Sequence, residues 1–421
     1  MTAVTDVRLP GEPHRHRLTV VDGRITVLET ALDDPDVSSP DVVAGEGLLA
    51  MPSMVEPHLH LDKAYLDSEG AGGTLEDAVA RVARMKSAFD RADLLERGSR
   101  VLERAIVNGT TIARVHADVD PAVGTLSVEV LLELREAYLG VIELQVVAFA
   151  QEGIGSRPGT LELLRESMVL GADVIGGCSY SEPTIDDCRD HVRTVLDLAE
   201  RFGVPADFHA DLADDDADPR YGMIGFLASE TIARGMQGQV TAGHVTSLAA
   251  VEPDRRAVLA DLIARAGVAI VALPATDLHL GGRKDRARVR RAIAPVRELA
   301  AAGVRVAVSS NNIRNPFTPY GNVDQFQTAL LLAQTSHLSS REELAQVVGM
   351  ASTGAAEILG VPGHRVQAGG RGDLILVDAA DPAAALLDQS PRRKVLSRGR
   401  LIAETVVSTR RVPAATPLPF R

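Results

Sequence analysis

The chain has no tryptophan, and phenylalanine and tyrosine together make up only 3% of its 421 residues. So thin an aromatic supply argues against a platform that stacks nucleic-acid bases. Only two cysteines occur, Cys178 and Cys188, in neither metal nor redox spacing, so no disulfide framework is implied and a reducing compartment is the simplest setting. Basic residues are in deficit, with 44 Lys and Arg against 57 Asp and Glu for a formal charge of −13, which speaks against a nucleic-acid or anionic-membrane surface. No apolar run approaches a membrane span, and the opening "MTAVTDVRLPGEPHRHR" lacks the apolar core of a secretion signal. These absences leave a folded cytoplasmic protein that handles a small molecule, and the acidic balance favours a neutral or cationic one. A homo-oligomer is expected.

What is present is core-forming material in a repeating order. Apolar residues make up 45% of the chain, enough for one large α/β domain and a smaller one. From about residue 105 an amphipathic stretch, a glycine and a short β-branched run recur, as in "LAERFGVPADFHADL" and "LAAAGVRVAVSSNN". The glycines at 109, 140, 171, 203, 238, 267 and 303 suit the left-handed residue that closes a helix before a strand. Thr74 with Asp77, and Thr184 with Asp187, have the spacing of helix-start capping boxes. Added to the opening strand "LLAMPSMVEPHLHL", seven such junctions give eight βα units and predict an α/β fold, a (β/α)₈ TIM barrel, with a doubly wound open sheet as the alternative. The ends read as β-hairpins, "RLTVVDGRITVLET" around Asp22-Gly23 and "VLSRGRLIAETVVS". Residues 1–48 and 365–421 are therefore expected to join in a small discontinuous β-sandwich beside a barrel over 49–364.

Catalytic groups of such a barrel lie at the C-terminal ends of its strands. Six of the eleven histidines fall there: His58 and His60 on strand 1, His116 on strand 2, His209 on strand 5, His244 on strand 6 and His279 near strand 7. Alternate residues of a strand share a side, so His58 and His60 can reach one metal ion while His209 and His244 approach from other strands. The tripeptide alone is weak, since His14-Arg15-His16 repeats it outside the barrel. His116 and Asp118 read either as a pair behind the site or as polar residues packed at a strand end. Gln151 has the donor and acceptor to grip an amide edge. His191 reads as solvated, the run "DLADDDADP" as a loop in water and "RKDRARVRR" as a solvated helix face.

With these residues in view, the chain resembles the cytosine deaminase-like branch of the amidohydrolase superfamily. The similarity rests on "VEPHLHLDKA", "VHADVD", "VVAFAQEGI", "DFHADLADD", "VTAGHVTS", "NPFTPYG" and "GRGDLILVD" and runs nearly end to end. It implies a barrel flanked by a β-sandwich, one Zn²⁺ or Fe²⁺ bound by His58, His60 and His209, a histidine near the metal-bound water at His244, and a heterocycle held by Gln151. With no lysine at the strand 4 mouth to be carboxylated, one ion is expected rather than two. Two positions depart from the family. The strand 8 aspartate that binds metal and takes a proton is here Asn311, and the glutamate that shuttles the proton is Leu212. Neither side chain can carry a proton at neutral pH, which would cost a hydrolase roughly 10⁴–10⁸ in rate if the two losses were independent.

The site is accordingly expected to use His244, Asn311 and Asp211 as catalytic residues, His58, His60 and His209 as ligands of one divalent ion, and Gln151, Asn312, Lys63 and Glu182 as substrate contacts. The activity expected first is a diverged enzyme acting on a small polar nitrogen compound by Lewis-acid catalysis, in a reaction without the usual proton shuttle. An ordinary C–N hydrolase with relocated acid and base, and a metabolite-binding pseudoenzyme, are the alternatives.

Overall fold

The computed structural model describes residues 1–30, 39, 41–66 and 73–410. The parts of the expected terminal domain at 31–38, 40 and 411–421 lie outside the described residues. Before the barrel come β1 (Thr2–Arg8), β2 (Arg15–Val21), β3 (Arg24–Thr30), β4 (Val42–Ala44) and β5 (Leu49–Pro52). The barrel consists of β6 (Met54–Leu59), β7 (Thr110–Asp118), β8 (Glu143–Ala150), β9 (Val174–Cys178), β10 (Ala206–Ala210), β11 (Val240–His244), β12 (Ala269–Ala272) and β13 (Val306–Val308). After it follow β14 (Leu374–Val377), β15 (Arg392–Ser397) and β16 (Arg400–Glu404).

Strands β6 to β13 pair in sequence order and in parallel, each neighbour reached through a helical crossover, as eight βα units require. All seven junction glycines have positive φ, from 60° at Gly267 to 112° at Gly171. Thr74 forms its capping box with Asp77, and the Thr184 side chain accepts the Asp187 amide. The barrel closes where β6 meets the end of β13. The Asn311 amide donates to the His58 carbonyl at 3.1 Å, and the His60 amide donates to the Asn311 carbonyl at 2.9 Å. Below this seam the buried Glu56 carboxylate accepts from Ser309 Oγ at 2.6 Å, the Ser310 amide at 2.9 Å and Ser310 Oγ at 2.6 Å.

The chain ends meet in one sheet of order β16-β15-β14-β5-β1-β2-β3, with β4 also paired to β1. Asp22 and Gly23, both at positive φ, turn β2 into β3 as the sequence predicts. One boundary differs. The stretch "LLAMPSMVEPHLHL" is two strands, since Leu49–Pro52 pairs with β14 in the terminal sheet and the chain enters the barrel only at Met54. Both halves are apolar, so periodicity gave no sign of the change of sheet at Ser53.

Strand alternation sorts polar from apolar residues. On β7, Ala113, Val115 and Ala117 pack in the main core, whereas Arg114 and His116, of the opposite parity, join a polar layer. There Arg114 donates to Asp207 at 2.8 Å and His116 Nε2 lies 3.2 Å from the same carboxylate. The run 283–291 is irregular rather than helical, and its Arg290 pairs with Asp285 and with Asp215 of the acidic loop. Among the described residues, no helix is long and apolar enough to cross a membrane.

Candidate active site

The imidazoles of His58, His60 and His209 gather at the open end of the barrel. Nε2 of His209 lies 2.8 Å from Nε2 of His58 and 3.3 Å from Nε2 of His60. Burial and the neighbouring histidines hold His58 and His209 well below the usual histidine range, and burial with Lys63 does the same for His60, so each ring is neutral and keeps a lone pair. Beside them Asn311 is fully buried, with neither Oδ1 nor Nδ2 partnered. Three converging neutral nitrogens and an orphaned amide fit a divalent ion, because a buried polar group without a partner is otherwise costly.

Two other groupings are sterically close. His116 offers a nitrogen within 4.8 Å of His58 and His60. Its ring stacks at 3.9 Å against His58 and its Nε2 faces Asp207, so it supports the cluster from below. His60, Asp62 and Asp118 also approach one another, but Asp118 is already bridged by two ammonium groups, Lys63 at 2.7 Å and Lys86 at 2.7 Å. The Nε2 atoms of His58, His60 and His209, by contrast, face one another with no ammonium group between them.

A narrow cavity opens on this cluster. Its lining includes His60, His209, His244 and Asn311, the polar side chains of Lys63, Gln151 and Asn312, and the apolar Leu212 and Phe317. Lys63 Nζ donates to Gln151 Oε1 at 3.3 Å, and the Asn312 oxygen accepts from Asn315 at 2.7 Å. His244 Nδ1 lies 2.6 Å from Asp277 Oδ1, in the helix Pro274–Leu280 that follows β12. Burial raises the Asp277 pKa while His244 opposes that rise. Asn311 at φ 60° and His244 at φ 71° both leave their strands in the left-handed region, which Asn and His enter more readily than most residues.

Eight of the ten expected site residues meet here, and Asp211 and Glu182 do not. Asp211 also turns through a left-handed φ of 54°, and its carboxylate accepts the amides of Met223 at 2.7 Å and Ile224 at 2.9 Å, capping the next helix. Glu182 accepts the amides of Ile154, Gly155 and Ser156 and faces His191 Nδ1 at 3.0 Å. His191 is thus buried rather than solvated, because its helical face packs on β9, where it touches Gly177. His279 turns outward against Tyr320. The partner that sequence reasoning missed is Asp277; its signal was a carboxylate one strand beyond a histidine at the same barrel mouth.

Residues 41–412 match the amidohydrolase family. The chain belongs to that family. It is 30% identical over 391 residues to a pterin deaminase of Rhizobium rhizogenes, covering 91% of this chain and 87% of that one. It is 27% identical over 406 residues to an N-isopropylammelide isopropyl amidohydrolase of a Pseudomonas species, covering 92% and 93%. In structure it is similar to a 5-methylcytosine deaminase of Klebsiella pneumoniae liganded with 5-fluorocytosine, with TM-score 0.91, 28% identity and coverage of 98% and 100%. The protein is an enzyme of the amidohydrolase superfamily with the barrel architecture of its relatives.

Proposed function

We propose that the protein hydrolyses a C–N bond of a small nitrogen heterocycle, with its acid–base role relocated to His244 and Asp277. The observation that carries this reading is the 2.6 Å contact between His244 Nδ1 and Asp277 Oδ1 at the edge of the cavity. With Nδ1–H donated to Asp277, His244 Nε2 is the free lone pair, able to take a proton from the attacking water and return it to the departing nitrogen. His58, His60 and His209 would hold one zinc or iron ion, which supplies Lewis acidity when bound. Gln151, Lys63 and Asn312 bind the ring, and Asn311 contributes an amide rather than a base. The relatives' printed activities, on pterin, N-isopropylammelide and 5-methylcytosine, support a flat nitrogen ring as substrate.

A second reading, a reaction needing no hydrolytic proton shuttle, draws on Leu212 and Asn311, which carry no proton. Ammonia or amine release from pyrimidines, pterins, triazines and creatinine-like rings by zinc- and iron-loaded protein separates the two. Asp277→Asn should lower kcat by about 10²–10⁴ while leaving metal content unchanged. If no ring releases ammonia or amine, hydrolysis gives way to the second reading. Absence of stoichiometric metal after anaerobic purification would favour the pseudoenzyme instead.

A further inference from the structure

Among the described residues, no carboxylate lines the cavity, and its one formal charge is the ammonium of Lys63. Carboxylates behind it are engaged, Asp118 by Lys63 and Lys86, Asp277 by His244 and Asp207 by Arg114, while Asp62, near His60, accepts the Asp118 amide at 2.8 Å through one oxygen. A divalent ion held by three neutral imidazoles beside a neutral amide keeps its charge uncompensated within the coordination sphere. Lys63 Nζ spends one donor on Asp118 at 2.7 Å and one on Gln151 at 3.3 Å, and it lies 5.8 Å from the ring of Phe317, a wall of the cavity. An ammonium has three donors, so one remains for a ligand.

We propose that the substrate binds as an anion. It would be a small planar nitrogen heterocycle that carries a ring carboxylate or an ionised ring oxygen, that negative oxygen received by Lys63 and by the positive lining of the cavity. The inference rests on the reading above that His58, His60 and His209 hold an ion. It departs from what the net charge of −13 suggests, because charges at contact distance in a buried site outweigh surface charges beyond a screening length of about 8–10 Å.

Isothermal titration of zinc-loaded protein with uracil, orotate and barbiturate tests this on one ring framework. Uracil is neutral at pH 7, orotate adds a carboxylate, and barbiturate loses a C5 proton to give an enolate whose charge lies on its ring oxygens. At least one anion should bind about 10-fold or more tighter than uracil; orotate leading identifies a carboxylate, and barbiturate leading identifies an acidic ring. Lys63→Gln should remove that preference. Because that variant also strips a partner from buried Asp118, Leu212→Glu is the independent arm: it sets a carboxylate in the cavity wall and should reduce the ratio of anion to uracil affinity about 10-fold or more. Anions that bind no better than uracil, or a preference unchanged in Leu212→Glu, overturn the proposal. Ammonia release distinguishes the two readings. Anion preference without ammonia release from any ring sinks hydrolysis alone, whereas release from neutral rings with no anion preference sinks the charge inference alone.

Discussion

Glu182 shows how burial and partners separate a structural carboxylate from a functional one. Burial pushes its pKa up, yet the hydrogen bonds from His191 and from the Ile154 and Ser156 amides overcome this and bring it to about 2, against an ordinary 4.5. A carboxylate with a depressed folded-state pKa stabilises above its unfolded value and loses that contribution as pH falls toward the folded one. The shift corresponds to roughly 3 kcal/mol. Glu182→Gln should therefore lower stability at pH 7 by about 2–3 kcal/mol, and the gap from the parent should close between pH 4.5 and pH 2. Thermal melts across that range check it; a raised KM with unchanged melting would return Glu182 to the substrate. The convergence of His58, His60 and His209 was legible because strand parity alone sets their direction. Asp211 and Glu182 were misjudged because placement at a strand mouth does not reveal which loop amides a carboxylate meets.

At the scale of the element, β9 and β10 fit only because β9 carries Gly176. A Cβ on Gly176 would stand 2.3 Å from the Asp207 carbonyl oxygen and 3.0 Å from the side chains of Phe149 and Val147. Backbone cannot retreat as a flexible side chain does, so Gly176→Ala should cost about 1–3 kcal/mol or more and move Asp207, which holds Arg114 and His116 under the histidine cluster. Loss of soluble yield or a lowered melting point is the expected result. A melting point equal to the parent's would show that the two strands can separate. Helix–strand order was legible in the sequence because each junction glycine marks a left-handed turn. The split at Ser53 and the irregular course of 283–291 were not: the first falls between apolar residues on both sides, Ala50-Met51 and Met54-Val55, and the second is shaped by ion pairs with a distant loop, which local composition does not encode.

For the whole molecule, the histidine cluster and the barrel seam are one construction. The His58 carbonyl and the His60 amide bond Asn311 across the seam, and His209 reaches in from the opposite half of the barrel. An ion held there would bind the folded chain and not the unfolded one, adding about 4 kcal/mol when its concentration is 1,000 times Kd. Chelation should lower the melting temperature of the full chain, and restoring zinc should recover it. Asn311→Asp sharpens this, since aspartate accepts the left-handed backbone at this position but buries a charge among neutral groups. The metal-free variant should melt below the metal-free parent, while the rise on adding zinc should exceed the parent's, more so when Leu212→Glu is added. Equal rises in parent and variants would mean that residue 311 does not face the ion, and no rise in any of them would mean that the three imidazoles hold no ion.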